Sequence, residues 1–271
     1  MAAVDPPSAV PLDAIPLDDR GLLLGDGLFE TLLFTRGALV LAEAHARRMT
    51  DGAAVLGLQP PEPAAFIDCA LAAVRTAGLS GARAAVRVTL TAGSGGRGLD
   101  RPAAPQPRLF ATAALAVQPD SPAALFIAQT RRNQASPSSR LKTLAYLDNV
   151  LARREAAAAG ADEAVMLNTL DELACAAAAN LFWLKHGVMF TPAPETGRMD
   201  GVMAQQAAAA AAAIGIEVRQ VREGPETLVG ADAVFLTNSL IGVRRAFMAG
   251  QAPPAADALV ERLADAVSRF V

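Results

Sequence analysis

The chain has 271 residues, of which 52% are hydrophobic and 19% charged, and its formal net charge is −3 at pH 7. This length suits two modest domains or one large domain of a globular protein. The small acidic net charge without a basic stripe argues against nucleic acid as a partner, and the absence of an uninterrupted apolar run of about 18 residues argues against a membrane span.

The first part of the chain alternates strand and helix patterns. A glycine-rich loop, GSGGRG at 93–98, separates its last two strands. The predicted elements are a hairpin at 28–42, helices at 43–56 and 61–77, and strands at 84–91 and 108–117. This order predicts an α+β domain over residues 1–117.

The proline-containing stretch QPDSP at 118–122 predicts a linker, and residues 123–271 then form the second domain. This domain also alternates strands and helices, so the whole chain is predicted to belong to the α/β class. Its predicted strands are at 124–130, 163–167, 181–184, 188–191, 217–221 and 233–237, and its helices at 146–159, 201–214 and 260–271.

Several residue types are scarce, which restricts the chemistry. Histidine occurs only at His45 and His186, so a histidine-based triad or a multi-histidine metal site is poorly supported. The two cysteines, Cys69 and Cys175, cannot form a disulfide framework. We therefore expect no metal centre and a reducing, cytoplasmic setting.

Lysine occurs only at Lys142 and Lys185, and the two positions differ in context. Lys142 follows the polar loop 133–140 and precedes the helix predicted at 146–159. A lysine amine in such a place can form a Schiff base with a carbonyl group. Lys185 lies in the turn-like sequence Lys-His-Gly, which is typical of a solvated surface residue, and for Lys142 that reading is the alternative.

Three further features could bind an anion. Gly201, Val202 and Met203 begin a helix, where free backbone N–H groups can bind phosphate. Asn238-Ser239 follows an apolar strand and could form a second anion-binding turn or an ordinary Asx turn. Arg48 could bind a phosphate in a bidentate manner, or lie exposed on its helix.

Taken together, these segments resemble the class IV aminotransferase family, the fold-type IV enzymes that use pyridoxal phosphate (PLP). The family includes branched-chain and D-amino-acid aminotransferases and aminodeoxychorismate lyase, and the resemblance spans about residues 18–245. The motifs, in the family's order, are GDGLFET (25–31), HARRM (45–49), GSGGRG (93–98), LKTLAYLDNVLA (141–152), ADEAVML (161–167), AANLFW (178–183), DGVM (200–203) and TNSLIGV (237–243).

The resemblance implies two α/β domains with PLP in the cleft between them, usually in a homodimer. It implies that Lys142 is the Schiff-base lysine and that Arg48 holds the cofactor phosphate. Val202 and Met203 match the backbone donors to that phosphate, and Asn238-Ser239 match the second phosphate turn.

Within the family, the glycine-rich loop and the AANLFW and TNSL motifs are most similar to aminodeoxychorismate lyase. This implies conversion of the small molecule 4-amino-4-deoxychorismate to 4-aminobenzoate and pyruvate, a step of folate synthesis, with Lys142 as general base. Because the substrate carries two carboxylates, Arg97 on the glycine-rich loop is a candidate substrate ligand, the alternative being a solvated loop arginine. Thr31 is a second candidate, or a strand residue that packs.

The chain departs from the family at Cys175, five positions before Asn180, where a glutamate normally pairs with the protonated pyridine nitrogen of PLP. Glu172 lies three residues earlier, and strand alternation predicts that it points to the opposite face. A neutral thiol cannot hold that proton as a carboxylate does, so the bound ring should be a weaker electron sink. We therefore expect an elimination more than a full transamination.

Two alternatives stay open at this point. The first is an aminotransferase for D-amino or branched-chain amino acids, which shares Lys142 and Arg48, but Cys175 counts against it. The second is a PLP-binding relative without turnover. Cys175 and Ala204, which replaces an arginine common in the family, count for it, whereas the retained Lys142 counts against it.

Overall fold

The computed structural model describes residues 14–96, 98–253 and 257–268. These residues divide into two compact units. The first comprises the chain up to Val117 together with Leu141–Ala145, and the second comprises Gln118–Arg140 and the chain from Tyr146 onward. Lys142, which the predicted domains place in the C-terminal part, belongs to the first unit, and residues 118–122, predicted as a linker, belong to the second.

The first unit is an antiparallel sheet covered by two helices. Within the described residues its sheet has the order β2-β1-β3-β4, and α2 and α3 pack on it. Leu32, Phe66 and Leu90 are fully buried in the core between them. Its elements are α1 (Arg20–Leu24), β1 (Gly27–Thr35), β2 (Ala38–Leu39), α2 (Ala42–Leu56), α3 (Pro63–Thr76), β3 (Ala84–Thr91) and β4 (Arg108–Leu115).

The segment Leu141–Ala145 joins the first unit because it pairs with β1. The Phe29 N–H donates to the Lys142 carbonyl at 2.9 Å, and the Leu144 N–H donates to the Gly27 carbonyl at 3.0 Å. Leu28 and Thr143 form an antiparallel bridge between these two bonds. Hydrogen bonds between residues more than 100 positions apart leave no local signal, so sequence patterns did not reveal this pairing.

The second unit is built on a mixed sheet. In the described part of the chain the strand order is β10-β9-β8-β11-β12-β5-β6-β7, with parallel pairs β10/β9, β12/β5 and β5/β6. Its strands are β5 (Ala123–Ile127), β6 (Glu163–Leu167), β7 (Leu173–Ala176), β8 (Asn180–Lys185), β9 (Val188–Pro192), β10 (Val218–Val221), β11 (Ala233–Asn238) and β12 (Gly242–Met248). Its helices are α4 (Leu147–Ala158), α5 (Val202–Ala213), α6 (Glu226–Val229) and α7 (Ala258–Ser268).

The elements predicted from sequence are present, with ends that shift by up to three residues in the described range. The alanine run forms most of α5, as the high helix propensity of alanine predicts. The helix predicted at 260–271 corresponds to α7, which ends at Ser268. Residues 269–271 of that prediction lie outside the described residues. No helix in the described ranges is both long and apolar enough to span a bilayer.

Candidate active site

Lys142 lies against an aromatic ring in the first unit. Its Nζ is 4.2 Å from the centre of the Phe29 ring, and the Arg87 guanidinium carbon is 3.6 Å from the same centre. Such contacts stabilise a cation through the negative face of the ring. The backbone pairing of the Lys142 segment with β1 fixes the start of this side chain.

Thr31 shares a strand face with Phe29, because side chains two residues apart on β1 point to the same side. Thr31 is half-buried, as expected for a residue at the edge of a site. Its substrate role stays a prediction. The other predicted substrate residue, Arg97, lies outside the described residues.

Arg48 is held by a buried carboxylate that the sequence analysis did not identify. Its Nε and Nη2 donate to the two oxygens of Glu30 at 2.8 and 2.6 Å, and His45 Nδ1 lies 2.6 Å from Glu30 Oε2. Glu30 is 1% exposed, while the Arg48 side chain is 20% exposed. Arg48 is therefore oriented and still reachable, whereas its neighbour Arg47 is exposed on the helix.

Burial and the charge of Arg48 together determine the pKa values of Glu30 and His45. Burial alone raises the pKa of Glu30, but the charge and hydrogen bonds of Arg48, with help from His45, lower that pKa to about 2. Burial lowers the pKa of His45, and the positive charges of Arg48 and Lys142 lower it further against the pull of Glu30. The Lys142 charge thus acts on this buried group.

Arg20 is a second residue that sequence reasoning missed. It is buried, and its guanidinium donates to a run of carbonyls beside the glycine-rich loop, at 2.7 Å to Leu99 and 3.1 Å to Asp100, with longer bonds to Gly95 and Gly98. Asp26 accepts from Arg20 and from Arg101. The hydrogen bond from Arg101, with that from Arg20, holds the pKa of Asp26 below its ordinary value against the effect of burial.

In the second unit, a hydrogen bond joins the segment before α5 to the first residue of β8. Asn180 Nδ2 donates to the Met199 carbonyl at 2.8 Å, and Gly201 is the N-cap residue of α5. The N–H groups of Val202 and Met203 belong to the first turn, where the helix itself supplies no acceptor. The predicted anion-binding helix start is thus formed, and its phosphate role stays a prediction.

We expect Gly201→Ala to disturb this helix start, because a Cβ at position 201 would lie 1.9 Å from Asn180 Oδ1. Asn180 is buried and bonded to Met199, so it cannot move without losing that bond. The expected loss is about 1–3 kcal/mol of folding free energy, as for other forced overpacking. Urea unfolding measures this loss. Gly230→Ala is the control, since its nearest contact is the flexible Lys185 Nζ at 3.7 Å, and an equal loss there would contradict the steric explanation.

The turn at Asn238 is held by the side chain of Asn238, and its phosphate role stays a prediction. Asn238 Oδ1 accepts from the N–H groups of Leu240 and Ile241 at 2.9 and 3.0 Å, which is an Asx turn. Its Nδ2 donates to the Ala178 carbonyl at 3.0 Å, so this turn and the start of α5 are both tied to the segment 178–180. Because Asn238 occupies those two N–H groups, a phosphate contact from this turn would come from Ser239.

Cys175 is buried on β7, and the carboxylate that acts on its thiol, that of Glu163, is paired with Arg153 at 3.0 Å. Burial raises the pKa of its thiol, which keeps it neutral. Glu172 is engaged elsewhere, with Arg222 at 2.8 Å and Asn168 at 2.7 Å. The interpretation that Glu172 does not replace the usual glutamate agrees with these contacts.

Two buried polar atoms in the second unit have no hydrogen-bond partner within the described ranges, namely Arg198 Nε and Thr237 Oγ1. Buried donors are normally satisfied, so such atoms indicate room for a ligand. Within the first unit, the amine against the Phe29 ring and the oriented Arg48 each suit a functional group of PLP, and within the second unit so does the helix start at Gly201.

Comparisons with known proteins give the family. Residues 27–246 match the family described as "Amino-transferase class IV". The "Aminodeoxychorismate lyase" of Vibrio harveyi is 28% identical to this chain over 87% of the chain and 88% of the relative. The "Putative branched-chain-amino-acid aminotransferase" of Methanocaldococcus jannaschii is 30% identical over 82% of this chain and 77% of the relative.

A solved structure supports the same family over the full length. It is that of a "Putative 4-amino-4-deoxychorismate lyase" from Legionella pneumophila, with a TM-score of 0.90 and 25% identity, covering 98% of this chain and 100% of that one. The predictions of the family and of a mixed α/β fold are confirmed. Members of this family are PLP enzymes, and the chain belongs to the class IV aminotransferase family.

Proposed function

We propose that the protein is a PLP-dependent lyase that converts 4-amino-4-deoxychorismate to 4-aminobenzoate and pyruvate, in folate synthesis. The observation that carries this proposal is Lys142, the family's lysine position, seated against the Phe29 ring beside Thr31. Similarity to an aminodeoxychorismate lyase over 87% of the chain supports this activity within the family.

In this proposal Lys142 holds PLP through its amine, while Arg48, the N–H groups of Val202 and Met203, and Ser239 bind the phosphate. When bound, PLP would supply an aldehyde for the substrate amine and a ring that withdraws electrons from the carbon that bears this amine. Glu30 keeps the Arg48 guanidinium pointing in one direction, so less side-chain freedom is lost when the phosphate binds.

Once free, the Lys142 amine acts as the general base that removes the proton from the carbon bearing the amino group. The ammonium formed in this way lies over the Phe29 ring, which stabilises a cation. The carbon–oxygen bond to the enolpyruvyl group then breaks after protonation of the ether oxygen, and the ring becomes aromatic. The enol released becomes pyruvate, so every atom of the substrate appears in the two products.

The direct test is incubation of the PLP-loaded protein with 4-amino-4-deoxychorismate, with separate assays for 4-aminobenzoate and pyruvate. Equal amounts of the two products, released without an added keto acid, are expected. Consumption of substrate without pyruvate would contradict a lyase.

The second candidate is an aminotransferase for D-amino or branched-chain amino acids. It is favoured by the similarity to the relative from Methanocaldococcus jannaschii named as a branched-chain aminotransferase. Cys175 counts against it, because transamination depends on a stable carbanion on the cofactor ring, which a carboxylate at that position supports. Formation of glutamate from 2-oxoglutarate and an amino donor would favour this candidate. A protein that acquires no visible absorbance with PLP would favour a relative without turnover.

We propose a homodimer in the cytoplasm, as the family resemblance implies. Both cysteines are free and buried, which suits a reducing setting. Light scattering on the purified PLP-loaded protein should give twice the mass of one chain, and the mass of a single chain would contradict the dimer.

A further inference from the structure

Arg198 is a buried cation that the proposed mechanism does not yet use. It is 6% exposed, and its Nε–H has no acceptor among the residues that the structure describes. Its Nη1 reaches Asp200 Oδ1 at 3.4 Å, a long contact to an exposed carboxylate. Guanidinium groups only donate hydrogen bonds, so a buried Nε–H without an acceptor indicates a place for an acceptor atom of a ligand.

Strand pairing and two hydrogen bonds of Arg132 link the backbone next to Arg198 to the strand pair that carries Cys175. Cys175 pairs with Met166 across β6 and β7, and the Arg132 N–H donates to the carbonyl of the next residue, Leu167, at 2.8 Å. Arg132 Nε in turn donates to the carbonyl of Gly197, which precedes Arg198, at 2.6 Å. Arg132 and Arg198, both buried, are therefore linked through backbone groups to the strand pair that carries Cys175.

The charges around Cys175 are positive on balance. Arg132, Glu163 and Arg198 are the charged groups that act on its thiol. The Glu163 carboxylate is already paired with Arg153 at 3.0 Å and accepts from the Ala164 N–H. Arg132 donates to backbone carbonyls, and the carboxylates that act on Arg198 are those of Asp200, at a long 3.4 Å, and of Glu195. The arginines that act on the Cys175 thiol thus outnumber the one carboxylate that does so, that of Glu163.

We propose that Arg198 donates its Nε–H to the ring nitrogen of PLP and holds that nitrogen in the unprotonated state. The inference rests on the proposed function, since Cys175 occupies the position from which the family's glutamate meets this nitrogen. An unprotonated pyridine nitrogen is a hydrogen-bond acceptor and suits a donor that cannot lose its proton, whereas a protonated nitrogen would face another cation. Arg198 thus places a positively charged donor at the edge of the cofactor where a glutamate would place a negatively charged acceptor.

The consequence is a preference for one reaction type. An unprotonated ring withdraws electrons less strongly, so a reaction that accumulates a carbanion is disfavoured. Elimination suffers less, because the electron pair that removal of the proton releases forms a carbon–carbon double bond, while the leaving group departs with the electrons of its own carbon–oxygen bond. Arg198 is therefore a specificity-determining residue for lyase over transferase chemistry.

The test is the nitrogen NMR spectrum of the holoenzyme made with PLP labelled with ¹⁵N in the ring. Free labelled PLP, measured at high and low pH, supplies the unprotonated and protonated reference positions. The wild-type resonance is expected at the unprotonated position. In Cys175→Glu the resonance is expected to move to the protonated position, because a carboxylate favours the charged ring.

Arg198→Met provides a second readout that does not depend on turnover. Loss of a charged donor should weaken PLP binding about tenfold to a hundredfold, while the apoprotein should melt at a higher temperature because an unsatisfied buried donor is removed. A residue with a merely structural role would lower the melting temperature instead. Arg219→Met is the matched control, since Arg219 forms an exposed pair with Glu217 and should change neither quantity.

The outcomes separate this inference from the proposed function. Bound PLP with a protonated ring nitrogen in the wild type would overturn the role of Arg198 and leave the lyase proposal standing. Unchanged PLP affinity in Arg198→Met would also overturn it. A protein that binds no PLP at all would overturn the proposed function and this inference together.

Discussion

Lys142→Ala should lower the release of 4-aminobenzoate by about a thousandfold or more. The substitution removes both the amine that holds PLP and the base that accepts the substrate proton. Because Lys142 is only half-buried and its segment is fixed by backbone bonds through Phe29 and Leu144, the variant should still fold. Steady-state rates and circular dichroism of the apoprotein measure the two effects.

Lys185→Ala is the matched control, because it removes the other lysine of the chain. Lys185 ends β8 in the second unit and has no aromatic contact of the kind that Lys142 makes with Phe29 among the described residues. Its activity should stay within a factor of about two of the wild type, as for most surface substitutions. Equal activities of Lys142→Ala and wild type would contradict the assignment of Lys142.

Glu30→Gln should cost about 3 kcal/mol of folding free energy, the lower end of the range for breaking a buried ion pair, because Arg48 is one-fifth exposed. The variant leaves the Arg48 charge without its carboxylate, and it replaces one of the two oxygens that accept from Arg48 and face His45 by an NH2 donor. PLP affinity should fall as well, since Arg48 loses the contact that orients it. Urea unfolding of the apoprotein and PLP titration measure the two losses.

The pH dependence of the folding stability is a second test of the role of Glu30. The folded pKa of Glu30 is lowered to about 2 from an ordinary value of 4.5. A lowered carboxyl pKa contributes stability that is complete above pH 4.5 and is lost as the pH falls toward 2. Glu30→Gln should therefore flatten the acid limb of the stability curve in this window.

Glu217→Gln is the control for both measurements, because Glu217 forms an exposed pair with Arg219. It should leave the free energy of unfolding and the acid limb nearly unchanged. An acid limb of equal steepness in Glu30→Gln and wild type would show that Glu30 is not the ionised group of this cluster.

Local patterns sufficed for much of the fold. The predicted strands at 84–91 and 163–167 coincide with β3 and β6, because both are apolar runs with clear ends. The strand β12 was missed, since its two adjacent arginines, Arg244 and Arg245, break the apolar alternation that marks a strand. The strand β7 was missed as an element because its four residues are all apolar and buried and give no alternation.

From the residues alone, the candidate site was predicted only where a rare residue type or a local sequence signal marks a position. The rarity of lysine singled out Lys142, and the helix start at Gly201 followed from local signals. The partner of Arg48 was missed because Glu30 is 18 positions away and meets it only through tertiary packing. Arg198 was missed because sequence does not reveal that an arginine is buried with an unused donor.

The most direct measurement is to reduce the PLP-loaded protein with borohydride, digest it, and locate the attached cofactor by mass spectrometry. Reduction makes the bond between PLP and a lysine permanent, and the chain offers only Lys142 and Lys185. The cofactor mass is expected on the peptide that contains Lys142. Its presence on the Lys185 peptide, or on neither peptide of a protein that absorbs as a PLP complex, would contradict the role of Lys142.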